Sequence, residues 1–337
     1  MKAKKQDLYS TNRVMLNEVI PLDTPFMLAI EPITYCNLKC NYCLYALPKD
    51  VMERSGHVFA SMSMDIFNSM IDQLKKFSKP LKLVSFVGQG EPLMHKDLPL
   101  MIAQLTQNHL TRSVQIITNG TLLSHKLTDE LIAAGVGSIR ISINGLSTDD
   151  FLENCGAKID FNNFLSELQY LYENRGNVEI LIKTMSSVLK NRSRDEFFNI
   201  FGDYCDRISV ENTMPYFSGI SYENIIDQSS YTTSRFSSIK RKAKICSAPF
   251  YRMSMKYDGT VKVCGCRSGI IVDKDINNLY KAWNGPAHKE IMLKVLKEEY
   301  EGITDFCNEC FTRNDFAFEE DNLDSHVDKV LSKIEDL

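Results

Sequence analysis

Between residues 26 and 212 the chain alternates short apolar runs of strand character with amphipathic stretches of helical period, and nothing else in it restricts the fold so strongly. The strand-like runs are 26–33, 81–87, 114–118, 138–143, 178–184 and 207–211. Strands that alternate with helices are joined by crossovers and lie parallel in one sheet. The stretch 64–77 carries apolar residues at 66, 67, 70, 71, 74 and 77, a helical stripe that stops before Pro80. Asp97, Leu98 and Pro99 read as a helix start, and Gly135 as the end of the next helix. Phe164, Leu165, Leu168 and Leu171 mark a fourth helix, and Phe197, Phe198, Phe201 and Tyr204 a fifth. Six strands with such crossovers predict an α/β fold, a partial (β/α)6 TIM-like barrel over 26–215.

The remaining segments divide by composition. Residues 1–25 are an N-terminal extension, and the polar, serine-rich stretch 216–245 reads as a linker or lid. A small α+β domain is expected over 246–315: Tyr251 to Val263 holds two strand-like runs around Asp258-Gly259, a tight-turn dipeptide, and Pro286 opens a helix. Residues 316–337 form an acidic tail with a short helix. The 337 residues suit one large domain and a smaller one. No apolar run approaches the ~18 residues of a spanning helix, and the first ten residues lack a signal's apolar core. A cytoplasmic protein without membrane contact is therefore expected. A net charge of -4 gives no field to gather nucleic acid, and Lys240, Arg241, Lys242 and Lys244 read as a solvated face. Ten cysteines in a reducing compartment point to metal or chemistry, not disulfides.

Cys36, Cys40 and Cys43 stand in CNLKCNYC directly after the first strand, at the carboxyl end where barrel folds place their chemistry. Three soft ligands on one short loop suit an iron-sulfur cluster with one iron left open. A zinc site ordinarily adds a second CxxC or two histidines, and nothing local supplies them. After the second strand comes Gly88-Gln89-Gly90-Glu91-Pro92, whose small residues let backbone approach a ligand and whose Glu91 can accept from an ammonium group. The third strand ends in Thr118-Asn119-Gly120. Strand alternation puts Arg140, Ser142 and Asn144 on one face of the fourth, and Lys183 and Glu211 read as inward-facing on later strands.

Together these segments resemble the radical S-adenosylmethionine (SAM) superfamily over about residues 30–212. Its CxxxCxxC motif carries an aromatic before the third cysteine, here Tyr42; its GGEP segment appears with Gln89 in place of a glycine; its TNG is present; and its ISxDG-like run appears with Asn144 replacing the acid. The resemblance implies a 4Fe-4S cluster on Cys36, Cys40 and Cys43 with SAM at its open iron. It implies SAM contacts from Tyr42, Gly88, Gln89, Gly90, Glu91, Asn119 and Ser142.

A second group comprises Cys246, Cys264, Cys266, Cys307 and Cys310. Taken alone, a hairpin cysteine pair plus CxxC would make a closed zinc site. The run from Cys246 through Asp258-Gly259 to Cys264, with Trp283-Asn284, resembles the opening of a SPASM domain or its truncated relative, the twitch domain. That resemblance implies one auxiliary 4Fe-4S cluster on Cys246, Cys264, Cys307 and Cys310, with Cys266 spare or in place of Cys264. Cys155 and Cys205 read as buried thiols, Cys155 also as a hydrogen-atom donor.

The implied activity is reductive cleavage of SAM to a 5'-deoxyadenosyl radical that abstracts hydrogen from a small polar metabolite, such as a sugar, aminocyclitol or nucleotide derivative. Oxidation or epimerisation follows, with Arg140 as base or substrate clamp and a reduced flavodoxin or ferredoxin as electron donor. The alternatives are a maturase acting on a peptide or protein, and a noncatalytic metal or electron-transfer protein.

Overall fold

A computed structural model of the chain describes residues 2–6, 13–190, 192–215, 217, 219–223, 225–226, 235, 242–264, 270–304, 307, 310, 313 and 318–336. Its strands are β1 (Lys4–Lys5), β2 (Met27–Ile30), β3 (Leu83–Phe86), β4 (Val114–Thr118), β5 (Ser138–Ile143), β6 (Glu179–Met185), β7 (Arg207–Glu211), β8 (Arg252–Met255), β9 (Val261–Lys262) and β10 (Ile271–Asp273). They form one sheet in the order β1-β7-β6-β5-β4-β3-β2-β8-β9-β10, with β2 to β7 all parallel and the two edges unjoined. This is the partial α/β barrel that the alternation predicts, and each of the six expected strands is present.

Period-two alternation decides the two faces. Leu28, Ile30, Val84, Phe86, Ile116, Ile139, Ile141, Ile182 and Ile208 are buried in one core with Phe67, Met70, Leu105, Leu131, Leu168 and Phe197 from the crossover helices. Burying each such side chain contributes about 1.5–3 kcal/mol. The intervening residues, including Glu31, Ser85, Arg140, Ser142, Lys183, Ser209 and Glu211, therefore occupy the concave face.

The crossover helices are α1 (Met64–Leu74), α2 (Leu98–Gln107), α3 (His125–Ala133), α4 (Thr148–Cys155), α5 (Phe161–Asn174) and α6 (Arg194–Phe201). Side chains cap most of them: Ser63, Ser124, Ser147, Asp160 and Ser193 each accept from a backbone N–H of the first turn. Gly135, at φ 88°, follows α3 as expected. The stripe predicted over 64–77 is helical only to Leu74, but Phe77 remains buried.

Two pairings were not legible beforehand. β1 lies parallel to β7, inside the segment expected as an extension. The expected hairpin forms, with Gly259 at φ 84°, yet its first strand pairs in parallel with β2, and Met253 and Met255 enter the barrel core. α7 (Leu279–Asn284) joins the same core through Leu279, Ala282 and Trp283. A second core gathers Leu16 and Ile20, Phe250, Val295 of α8 (Pro286–Leu296), and Val330 and Ile334 of α9 (Val327–Glu335). The helix in the acidic tail is thus packed against the N-terminal segment. Among the described residues, no helix is long and apolar enough to cross a membrane.

Candidate active site and second cysteine site

The loop after β2 carries Cys36, Cys40 and Cys43, all partly exposed. Leu38 anchors it in the core at 1% exposure. The N–H groups of Lys39 and Asn41 donate to the carbonyls of Cys155 and Asn154, at 2.9 and 2.8 Å, so the end of α4 supports the loop. Burial, with the charges of Glu91 and the neighbouring thiols, pushes Cys36 up to about 12; contact with Cys155 and burial push Cys40 up as well. Thiols so placed become thiolates only with a cation to hold them, as an iron-sulfur cluster provides. The donor set therefore fits the cluster.

Gly88 to Glu91 pack directly on this loop. A Cβ on Gly90 would stand 2.2 Å from the Ile33 carbonyl oxygen and 2.6 Å from that of Tyr35. Glu91 is 3% exposed. One of its carboxylate oxygens accepts from the Thr118 hydroxyl at 2.5 Å and Leu93 N–H at 3.0 Å, and the other from Asn119 N–H at 2.8 Å. Burial raises its pKa against the pull of these donors. Three of about four acceptor positions are thus filled by the protein. The N–H of Gln89 donates to Glu31 at 2.8 Å, and its Oε1 lies 2.8 Å from His57 Nδ1.

Asn119 bridges back to the cysteine loop, its Nδ2 donating to Asn37 Oδ1 at 2.9 Å. The Tyr42 hydroxyl donates to Asn144 Oδ1, which fixes the ring across the loop. Asn144 in turn donates to the Ser142 carbonyl at 3.1 Å. Cys155, 1% exposed, sits behind the loop with its thiol toward the Asn144 carbonyl at 3.9 Å. His57, Glu31 and Asn37 were not singled out from the sequence, whereas Thr118 opens the expected Thr118-Asn119-Gly120 segment. Glu31 alone had a signal, since it continues the alternation of β2.

Deeper on the concave face Lys183 donates to Glu211 at 2.7 Å, and Arg235 Nε to the same carboxylate oxygen at 2.8 Å. Burial would raise Glu211, but Lys183 and Arg235 bring it down to about 2. Lys183 falls to about 8 despite its partner, through burial and the nearby Arg235 and Arg140. Both members of the ion pair shift downward: burial outweighs the partner for Lys183, whereas the nearby cations outweigh burial for Glu211. Arg140 is likewise lowered by burial, to about 10.

At the second site Cys246, Cys264, Cys307 and Cys310 line one small cavity of about 30 Å³ with Tyr300, Arg313 and apolar side chains. The sequence-expected set is brought together; Cys266 lies outside the described residues. Cys246 N–H donates to the Tyr300 hydroxyl at 2.9 Å, which itself donates to the Lys244 carbonyl at 2.6 Å. Ser254 on β8 ties down Cys264 through its carbonyl at 2.7 Å. Burial pushes Cys246 up to about 12. Among the described residues no three His, Cys, Asp or Glu side chains converge on a point; the four thiols ring a space instead.

The family model described as the Radical SAM superfamily matches residues 30–203, more than half of the chain. The chain belongs to the radical SAM superfamily. As a radical SAM enzyme it works with SAM and a 4Fe-4S cluster. It is 35% identical over 111 residues to Fe-coproporphyrin III synthase of Methanosarcina barkeri, covering 33% of this chain and 25% of that protein. It is 26% identical over 202 residues to GTP 3',8-cyclase of Helicobacter pylori, covering 57% and 59%. These matches span only part of each relative's length. Among solved structures, anSMEcpe with bound AdoMet superposes with TM-score 0.61 at 17% identity, covering 92% of this chain and 96% of that one. Streptococcus suis SuiB bound to S-adenosylmethionine gives 0.59 at 15%, covering 93% and 79%. BtrN in complex with AdoMet and 2-DOIA gives 0.51 at 17%, covering 88% and 98%. All three share the fold.

Proposed function

We propose that this radical SAM enzyme abstracts hydrogen from a small polar metabolite, a sugar, aminocyclitol or nucleotide derivative, and oxidises or epimerises it. The observation that carries this reading is the polar, charged concave face, where the buried Lys183 and Glu211 stand with the half-buried Arg140 and Ser142. Apolar substrates would not offset the desolvation of these groups. The BtrN complex adds support as a fold neighbour holding a small molecule.

Cys36, Cys40 and Cys43 hold the first cluster, and Tyr42, Gly88, Gln89, Gly90, Glu91, Asn119 and Ser142 shape the SAM pocket. Once bound, cluster and SAM supply a 5'-deoxyadenosyl radical by one-electron cleavage. Glu91 offers its remaining acceptor position to the SAM ammonium, and Tyr42 with Asn144 closes one side of the pocket. Arg140 clamps the substrate or takes its proton. Cys155 supports the loop from behind Cys40 and stands as the hydrogen-atom donor only if the reaction is an epimerisation. Cys246, Cys264, Cys307 and Cys310 would hold an auxiliary 4Fe-4S cluster, which would supply an acceptor for the substrate's second electron. Reduced flavodoxin or ferredoxin feeds the first cluster.

A second reading is modification of a peptide. It is favoured by two fold neighbours seen with peptides, SuiB bound to precursor peptide SuiA and anSMEcpe with the Cp18Cys peptide. Incubation of the reduced enzyme with SAM and deuterated candidates of both classes decides between them. Deuterium in 5'-deoxyadenosine from a small metabolite supports the first reading; label transfer from peptides alone overturns it.

A further inference from the structure

We propose that Asp324, in the acidic tail, is a positioning residue for the second cysteine site, holding residues 244–246 so that the Cys246 thiol faces the cavity before a metal arrives. The inference deepens the reading above, in which Cys246, Cys264, Cys307 and Cys310 are the ligands of that site. Cys246 stands in a stretch without helix or strand, just ahead of the short turn Ala248–Phe250. Backbone of that kind takes its hydrogen-bond partners from elsewhere in the chain. The Asp324 carboxylate supplies two of them, one oxygen accepting from Lys244 N–H at 3.0 Å and the other from Ile245 N–H at 2.8 Å. Bonds from backbone N–H to a carboxylate are charge-assisted, and roughly twice as strong as neutral ones. The next N–H, that of Cys246 itself, goes to the Tyr300 hydroxyl. Two side chains distant in sequence therefore fix three consecutive residues, the last of them a thiol of the cavity wall.

Asp324 is held in its turn. Its N–H donates to Asn322 Oδ1 at 2.9 Å. Leu323, Val330 and Ile334 on either side of it are buried in the second core with Ile245 and Tyr300, and Cys246 and Cys307 lie against that same core. Arg13 pairs with Asp321, and Lys333 donates to the Ile20 carbonyl at 3.1 Å, so the N-terminal segment fastens the tail from both sides of Asp324. Ligands ordered by the fold bind metal more tightly, because the cost of ordering them does not fall on the binding step. Docking of the tail and metal binding at the second site are thus one coupled event, and each strengthens the other.

The test uses Co²⁺ as the probe, titrated anaerobically into the metal-free, full-length chain in which Cys36, Cys40 and Cys43 are alanine. Thiolate-to-cobalt absorption then reports the second site whether or not that site takes an iron-sulfur cluster. Asp324→Ala is expected to weaken cobalt affinity tenfold or more, and Asp324→Asn, which keeps one acceptor oxygen, by less. Asp328→Asn, at an exposed position of the same tail, should bind as tightly as the parent chain. Once Cys246→Ala has removed the thiol to be positioned, adding Asp324→Ala should change the affinity less than twofold. No cobalt binding by the parent chain, equal affinity in Asp324→Ala, or a loss that persists undiminished beside Cys246→Ala overturns the proposal; the last outcome means that Asp324 acts through the fold at large. The same criteria apply to Asp324→Asn if Asp324→Ala does not fold. Iron uptake by the parent chain on reconstitution is scored separately: cobalt bound but no iron taken up counts against the auxiliary cluster, not against the role of Asp324.

Discussion

The Asn119 backbone N–H donates to the Glu91 carboxylate across 2.8 Å, joining the segment after β3 to the segment after β4. Glu91→Gln keeps the shape but puts an amide N–H₂ where Asn119 or Thr118 needs an acceptor. Leaving one buried donor unsatisfied costs about 1–3 kcal/mol. Urea unfolding of the metal-free protein should show a loss in that range, and SAM affinity of the loaded enzyme should fall with it.

Gly90 has no room for a side chain, because the atoms it would meet belong to the Ile33 and Tyr35 backbone. Gly90→Ala should displace the cysteine loop and prevent iron uptake there, while the second site still fills. Iron analysis after anaerobic reconstitution should fall by about half, on the basis of four irons at each site.

The Lys183–Glu211 pair has two opposite pH signatures. Glu211 is held at about 2, below its unfolded value, so its contribution is present above about pH 4.5 and is lost as pH falls toward 2. Lys183 is depressed to about 8, so its protonated form costs stability fully below that pH, and the cost disappears as pH rises toward 10.5. Among the described residues, the charged groups that act on Lys183 are Glu211, Arg235 and Arg140. Denaturation midpoints should therefore show wild type losing its advantage over Glu211→Gln in acid, and gaining on Lys183→Met between about pH 8 and 10.5.

Cys246→Ala removes one thiol from the ring around the second cavity. About four irons should be lost, substrate turnover should stop, and reductive formation of 5'-deoxyadenosine should continue. Retention of wild-type iron would show that Cys246 is no ligand.

How much of this was readable in the sequence depends on how far apart the cause and the partner lie. The six barrel strands follow from local period, and Cys36, Cys40 and Cys43 from spacing, because both signals sit within one segment. β1 carries only two lysines and owes its conformation to the backbone of β7, so no local pattern marks it. The hairpin at Gly259 was legible from Asp258-Gly259, but its pairing with β2 depends on residues more than 200 positions away. The same distance hid the polar contacts: Gln89 meets His57, 32 positions off, and Asn119 meets Asn37, 82 positions off. Arg235 stood in a polar stretch with no pattern to tie it to Glu211, which its side chain reaches from outside the sheet.

The most direct measurement is iron and sulfide content together with reductive 5'-deoxyadenosine formation after anaerobic reconstitution. Wild type is compared with the variant in which Cys36, Cys40 and Cys43 are all alanine. We expect about eight irons and 5'-deoxyadenosine from wild type, and about four irons with none of that product from the variant. A variant that still cleaves SAM, or a wild type that binds iron at both sites yet never cleaves it, would contradict the assignment.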